Sequence, residues 1–123
     1  MNSRRQQRVA ELIKTNAGYI IQRELAGLMP AMATIMRVDV SDDLKYAKIF
    51  VSFYGSDDNK KRSYNILRRE VKNIRSQLGG VLKLRYLPFL TFIEDSTLDH
   101  AFKIENLLSR INEDEEGSKN SED

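Results

Sequence analysis

Apolar residues recur at helical spacing from Ser3 to about Leu28, the first stretch of the chain with a clear pattern. Spacings of three and four residues place them on one face of an amphipathic helix. Ser3 or Asn2 can cap its start, and Gly27 and Pro30 in the segment GLMPA can end it. The face expected to be buried comprises Val9, Leu12, Ile13, Ile20, Ile21, Leu25 and Leu28.

The pattern changes to a period of two over Ala33–Val40 and again over Lys45–Phe53, which predicts two β-strands. Between them, the SDDL of Ser41–Leu44 is a turn-forming cluster, so the strands should pair as an antiparallel hairpin. The residues expected to face the core are Met36, Val38, Val40, Ala47, Ile49, Val51 and Phe53. Those expected on the other face are Ile35, Arg37, Asp39, Tyr46, Lys48, Phe50 and Ser52.

Helical spacing returns after a cap at Ser56 or Asp57. Its apolar stripe comprises Tyr64, Leu67, Val71, Ile74 and Leu78. The pair Gly79-Gly80 that follows leaves three interpretations open: a helix C-cap, a helix that continues through both glycines, or a strand starting near Leu82. A phosphate-binding P-loop is excluded, because its glycines precede a helix whereas these follow one.

Pro88 disfavours helix at Leu87 and permits a strand over Phe89–Glu94, with Leu90 and Phe92 facing inward. This is the third strand of the chain. The pattern therefore predicts one sheet of three strands.

A last helix is predicted from a cap at Asp95 or Ser96 to Ile111, and the tail at 113–123 has nothing apolar to bury. The order is helix, strand, strand, long helix or helix pair, strand, helix. It predicts an α+β domain over residues 1–112, with helices on one face of the sheet, and a disordered acidic tail over 113–123.

Composition restricts the class of protein. The chain has 123 residues, 41% of them apolar and none of them cysteine, which suits one small domain and excludes disulfides and thiolate metal sites. No apolar run approaches the roughly 20 residues of a membrane-spanning helix, and the start MNSRRQQR is not that of a secretory signal. We therefore expect a cytoplasmic monomer that does not enter membranes.

The formal net charge of +2 hides an asymmetry along the chain. Residues 113–123 hold six acids and one lysine, a charge of −5, so the preceding 112 residues, with 19 basic and 12 acidic side chains, carry +7. A basic body suggests a polyanion partner, because phosphate neutralisation drives non-specific nucleic-acid binding. Charge alone gives equal weight to an ordinary solvated surface.

No catalytic or metal-binding constellation is evident in the sequence. His100 is the sole histidine, so no histidine metal cluster can be built, and a structural or surface role is expected for it. Carboxylates gather in SDD, GSDDN and EDEE, where capping and solvation explain them more simply than a Mg²⁺ site. We expect a binding module without cofactor or metal, and not an enzyme.

The candidate RNA-binding side chains are basic and fall in three places: the start of the first helix, one side of the helical stretch over residues 61–75, and the segment KLRY at 83–86. Arg68, Lys72 and Arg75 share one helix side opposite the apolar stripe and are the expected centre. The full set is Arg4, Arg5, Arg8, Lys61, Arg68, Arg69, Lys72, Arg75, Lys83 and Arg85. Tyr46 and Phe50 are candidates for base stacking, although packing of Phe50 beneath the C-terminal helix is the favoured alternative.

Five segments occur in the order and spacing of bacterial ribosome-binding factor A, and the chain resembles that family from Arg4 to Ile111. They are RVAELI, VDVSDDLKYAKIFVSF, IRSQLGG, LKLRYLPFLTF and DSTLDHAFKIENLLSRI. The resemblance implies a type II KH-like fold with the order helix, strand, strand, helix, helix, strand, in agreement with the pattern above. It also implies binding to the free 30S ribosomal subunit and its 16S rRNA, and assistance in late 16S rRNA maturation, notably at low temperature.

The resemblance also bears on Gly79-Gly80, because in the family the matching segment belongs to the second helix of a pair. Two departures from the family are visible. Its AxG kink is replaced by Glu70, Val71 and Lys72, so a nearly continuous helix from Asp57 to about Leu82 becomes possible. Its DPR after the first helix is replaced by AGLMPA, so no role of that loop is carried over.

From the sequence we therefore expect a non-enzymatic assembly factor of the small ribosomal subunit that docks through phosphate contacts and shape. The alternatives are a general KH-like RNA-binding protein without ribosome specificity and a protein-interaction scaffold. A ribonuclease is less favoured, because the sequence lacks acid–base pairs.

Overall fold

A computed structural model describes the protein from residue 3 to residue 96 and confirms the predicted α+β architecture. The elements are α1 (Arg4–Ile20), β1 (Met32–Val40), β2 (Tyr46–Tyr54), α2 (Asp57–Arg69), α3 (Val71–Val81) and β3 (Phe89–Glu94). The body of the predicted C-terminal helix, His100 and the tail at 113–123 lie outside the described residues.

The first helix begins at the predicted cap. Ser3 Oγ accepts a hydrogen bond from Gln6 N–H at 3.1 Å, while Gln6 Oε1 accepts from Ser3 N–H at 2.7 Å, a reciprocal capping box. At its other end α1 widens into one π-helical turn, Ile21–Leu25, where Ala26 N–H donates to Ile21 O at 2.9 Å.

This π turn shifts which residues face the core. The buried side of α1 and the π turn comprises Gln6, Val9, Ile13, Ala17, Ile20, Ile21 and Leu25. Leu28 was expected there but is 66% exposed, and Met29 is buried instead. Because a π turn holds an extra residue, the next buried position falls one residue later than α-helical spacing predicts. The prediction for Leu12 is also wrong: it lies at the margin of the apolar stripe and is 36% exposed.

The sheet has the order β1-β2-β3, with β1 antiparallel and β3 parallel to β2. The predicted hairpin is confirmed, and Leu44 closes its turn with a positive φ of 63°. At the other side of β2, Phe89 N–H donates to Lys45 O at 2.8 Å and starts the parallel pairing. Parallel neighbours need a crossover connection, which α2 and α3 provide.

A β-bulge at Met36 changes the alternation along β1. Ile35 pairs with Val51 and Arg37 pairs with Phe50, so Met36 is an extra residue between two register positions. Ile35 consequently packs against the core, as Ala33 does two residues earlier, whereas Met36 is not among the residues packed there. The predicted faces of Ile35 and Met36 are therefore wrong, because adjacent apolar residues let the sequence pattern run in either phase.

The helices cover one face of the sheet and bury its inward side chains. Val51, Ile49, Ala47 and Phe53 are at most 3% exposed, as predicted for β2. On the helical side Leu67, Ile74 and Leu78 are fully buried as predicted, whereas Tyr64 and Val71 of the same stripe are half-buried. Between α2 and the chain before β1, the buried Ser63 Oγ accepts a hydrogen bond from Ala31 N–H at 2.9 Å.

The crossover is a helix pair broken at the single residue Glu70, whose φ of −93° and ψ of 7° lie outside the helical region. Glu70 N–H still donates to Ile66 O at 3.0 Å and Ile74 N–H to Glu70 O at 2.9 Å, so little of the hydrogen bonding is lost. The structure therefore interrupts the helix by one residue only.

The helix continues through both glycines to Val81, which decides between the interpretations that the sequence left open. Leu82 is buried just after the helix end, whereas Val81, the last residue of the helix, is 55% exposed.

Candidate nucleic-acid interface

The cations of α2 and the start of α3 form a solvent-facing row on the side of the helix pair opposite its buried stripe. Its exposed members are Lys61, Arg68, Arg69 and Lys72. The guanidinium of Arg68 lies 5.8 Å from the centroid of the Tyr64 ring, whose hydroxyl donates to Phe92 O at 2.9 Å. Tyr64 thus links the basic helix to β3 and gives Arg68 a supported position.

Arg75 differs from the other predicted members of this row, because its guanidinium is already engaged. Nε donates to Pro88 O at 2.8 Å and Nη2 to Leu87 O at 2.7 Å, and the group lies 4.6 Å from the centroid of the Phe89 ring. The side chain is half-buried. Arg75 therefore fixes the segment that enters β3, while its predicted role as a phosphate ligand at the centre of the row stays a prediction.

The remaining predicted cations belong to one end of the sheet. Gln6 Nε2 donates to Val40 O at 2.8 Å and to Asp42 Oδ1 at 3.1 Å, which holds the start of α1 against the hairpin turn. The bond from Phe89 N–H to Lys45 O brings the end of the loop at 82–88 to the same place. The exposed cations at this end are Arg4, Arg5, Arg8, Lys83 and Arg85.

None of the ten predicted RNA-binding side chains forms an ion pair with another residue of the described part. The ion pairs found over residues 3–96 join Arg23 to Glu24, and Arg37 to Asp39 and Asp95. Cations without an ion pair keep their charge available for an anionic partner, although two of the donors of Arg75 are used by backbone carbonyls.

The outer sheet face carries aromatic rings that sequence reasoning identified only in part. Tyr46 was singled out, but its partner Phe89 was not: the ring centroids lie 6.0 Å apart, and the side chains are 59% and 60% exposed. Because Phe89 alternates with the inward-facing Leu90, the sequence predicts that Phe89 lies on the outer face. It does not predict which residue of the neighbouring strand lies beside Phe89. Only the register of the parallel strands brings Phe89 beside Tyr46.

Phe50 is half-buried on the same face, with the Arg37 guanidinium 3.8 Å from its ring centroid. A cation seated this closely occupies one side of the ring. The expected alternative, packing beneath the C-terminal helix, concerns residues outside the described part.

The hairpin turn beside this end contains a carboxylate with a shifted pKa. The Ser41 hydroxyl donates to Asp43 Oδ1 at 2.7 Å, and Lys45 N–H donates to it at 3.0 Å. These bonds lower the pKa of the Asp43 carboxyl below its ordinary value, and the Ser41 hydroxyl has a larger effect than the Lys45 amide. Asp43 is therefore a turn-stabilising anion.

The described residues also bear on whether the protein has a catalytic cleft, a metal site or a membrane-spanning helix. A cleft of about 300 Å³ beside the π turn has no ionisable side chain in its lining, which is formed by Ile21, Gln22, Ala26, Met29, Pro30, Ala31, Met32 and Ala33. Over residues 3–96 no three His, Cys, Asp or Glu side chains gather to hold a metal ion. In the same range, no helix has the length and apolar character needed to cross a membrane.

The mixed three-stranded sheet, the helices on one face and the helix pair broken at one residue define a small KH-like α+β domain. A family model described as "Ribosome-binding factor A" matches residues 5–108. The ribosome-binding factor A of Desulforamulus reducens is 38% identical over 113 residues, which cover 92% of this chain and 94% of that protein. The chain therefore belongs to the ribosome-binding factor A family.

Solved structures agree on the fold. The crystal structure of ribosome-binding factor A from Thermus thermophilus superposes with a TM-score of 0.63 at 18% identity, over 72% of this chain and 94% of that one. A homology model of the Thermus thermophilus protein, fitted into a cryo-EM map of a 30S–ribosome binding factor A complex, gives a TM-score of 0.58 at 19% identity, over 70% and 90% of the two chains.

Proposed function

We propose that the protein is an assembly factor that binds the free, immature 30S ribosomal subunit and assists late maturation of its 16S rRNA. Membership of the ribosome-binding factor A family over residues 5–108 is the observation that carries this proposal. The Thermus thermophilus protein fitted into a 30S complex supports the small subunit as the partner. Such a partner also implies a cytoplasmic location.

The RNA contacts are made mainly to phosphates. Arg68, Arg69 and Lys72 form the centre of the surface, and Lys61 extends it along α2. A second basic group at the other end of the sheet, Arg4, Arg5, Arg8, Lys83 and Arg85, contacts a neighbouring stretch of rRNA. Cations on helix surfaces and loops read backbone position and shape, and they carry little sequence information.

The protein acts by selecting one arrangement of the rRNA. A ligand that binds one conformation better than another shifts the population toward that conformation by the difference in affinity. Binding holds rRNA elements in the immature arrangement, and the protein leaves when the mature arrangement no longer fits.

The proposal is tested by sedimentation of the full chain with immature 30S particles, mature 30S particles and 70S ribosomes at several salt concentrations. We expect co-sedimentation with 30S particles, strongest for the immature ones, and none with 70S. The variant Arg68→Glu/Lys72→Glu should bind immature 30S far more weakly. For this variant the slope of log affinity against log salt concentration should be smaller in magnitude by about two, roughly one for each lost phosphate contact.

A matched control is Lys14→Glu/Arg23→Glu, which makes the same change in net charge on α1 and the π turn. It should bind much as the unmodified chain does. Equal weakening by both double variants would assign binding to net charge and not to this surface. Binding to any RNA without preference for 30S would favour the general RNA-binding alternative, and salt-insensitive binding to a protein would favour a scaffold.

A further inference from the structure

We propose that Tyr46 and Phe89 form an aromatic platform on which an unpaired RNA base stacks. The inference deepens the proposed function, on which it rests, by naming single-stranded RNA as the chemistry that this face recognises. The two residues are register partners at the first positions of the paired segments of β2 and β3. Their rings lie 6.0 Å apart at an interplanar angle of 33°.

The platform is not required by the core. Ala47 and Leu90, the next residues along the two strands, point to the opposite face and are 1% and 8% exposed. Tyr46 and Phe89 instead leave about three-fifths of their surfaces in solvent, at 59% and 60% exposed. Adjacent exposed rings on two strands keep apolar surface in water, which is typical of a binding site.

Two cations lie beside the platform. The Arg75 guanidinium lies 4.6 Å from the Phe89 ring centroid and is fixed there by its bonds to the carbonyls of Leu87 and Pro88. Lys48 is exposed on the same face, two residues beyond Tyr46. Its cross-strand neighbour Asp39 is paired with Arg37 at 3.3 Å, so this carboxylate is already partly neutralised.

Rings flanked by cations match a nucleotide, whose base presents an aromatic face and whose phosphate carries negative charge. In a duplex both faces of each base are already stacked, so a platform on an open sheet suits an unpaired nucleotide. A purely apolar protein partner would not use the cations. Charge complementarity therefore favours RNA over an apolar protein partner, and the exposed rings favour an unpaired stretch over a duplex.

The test uses the full chain and a short single-stranded oligouridine carrying one 2-aminopurine, whose fluorescence falls when it stacks. We expect quenching on binding, and a weaker response with a duplex of the same length. The variant Tyr46→Leu/Phe89→Leu keeps apolar bulk but removes the rings, and should bind the oligonucleotide about tenfold or more weakly, without quenching. Both positions are exposed, and circular dichroism should verify that the variant folds.

Two controls separate the platform from aromatic residues in general. Compared with Tyr46→Leu, the conservative variant Tyr46→Phe restores the ring and should recover the 2-aminopurine quenching. Tyr54→Leu removes an equally placed tyrosine, 73% exposed on the same strand and face. It lies eight residues along β2, roughly 26 Å away, and should leave binding unchanged.

Several results would overturn the platform while leaving the proposed function intact. These are binding of immature 30S without 2-aminopurine quenching, an unchanged affinity in the double leucine variant, or equal loss in Tyr54→Leu. If the double leucine variant lost 30S binding but bound the oligonucleotide unchanged, the rings would contact a ribosomal protein and not a base. This result would also overturn the platform. Failure of the unmodified chain to bind 30S would instead contradict the proposed function, whatever the oligonucleotide result.

Discussion

Two glycines of this chain serve different purposes. Gly55 has a φ of +154°, and a Cβ built on it would lie 3.2 Å from the Cβ of Ala31. Gly80 lies inside α3, and a Cβ there would meet nothing within 4 Å. Gly55 is therefore needed by the backbone at the end of β2, whereas Gly80 only adds conformational freedom to the unfolded chain.

Alanine should lower the stability of the protein at position 55 but not at position 80. Gly80→Ala is expected to leave stability unchanged or raise the free energy of unfolding by up to about 1 kcal/mol, because alanine favours helix. Gly55→Ala should lower it by roughly 1 kcal/mol or more, through backbone strain and the close approach to Ala31. Urea unfolding of both variants measures this, and a clear loss in Gly80→Ala would mean that the helix ends at the glycines.

At the scale of elements, the loop between α3 and β3 depends on one side chain. Arg75 reaches from α3 to two consecutive carbonyls of this loop and to the first ring of β3. Charge-assisted hydrogen bonds to a half-buried backbone contribute more than ordinary surface contacts. Arg75 is thus a positioning residue for both the loop cations and the aromatic platform.

Arg75→Gln should lower the free energy of unfolding by roughly 1 to 3 kcal/mol, since glutamine cannot reach both carbonyls with a charged group. Arg69→Gln, an exposed position with no bond to a described residue, should change it by less than about 0.5 kcal/mol. Chemical denaturation of the pair measures the difference. If the two substitutions cost the same, the bonds of Arg75 contribute nothing to the fold.

The elements themselves could be predicted from periodicity, and so could the covered face of the sheet. What could not be predicted depends on an extra residue or on long-range neighbours. Met36 and the π turn each insert one residue into a regular repeat, so Ile35 before the bulge and Met29 after the π turn pack against the core where an unbroken repeat does not place them. The sequence does not distinguish Arg75 from the other basic residues of the helix pair. Its hydrogen bonds to two carbonyls of the loop before β3 depend on the tertiary fold.

The distribution of charge belongs to the whole molecule. The body carries +7 and residues 113–123 carry −5, so the acidic segment is attracted to the body and competes with RNA for its basic surface. An acidic segment tethered to a basic surface lowers the affinity of that surface for RNA, most strongly at low salt.

Removal of residues 113–123 should therefore strengthen non-specific RNA binding and make it more dependent on salt. The melting temperature should stay the same, because the segment has no apolar residue to bury. Filter binding at several salt concentrations and thermal denaturation measure the two effects. A lower melting temperature in the truncated protein would show that the tail docks onto the domain.

The parallel pairing of β2 with β3 has one more consequence. Tyr46 and Phe89 belong to strands that are separated in the sequence by the whole helix pair. They become neighbours only through the pairing of these strands. A chain in which β3 has not yet joined the sheet contains both rings but no pair. The aromatic platform therefore forms only in the fully folded protein, because its two rings come together only when β3 pairs with β2.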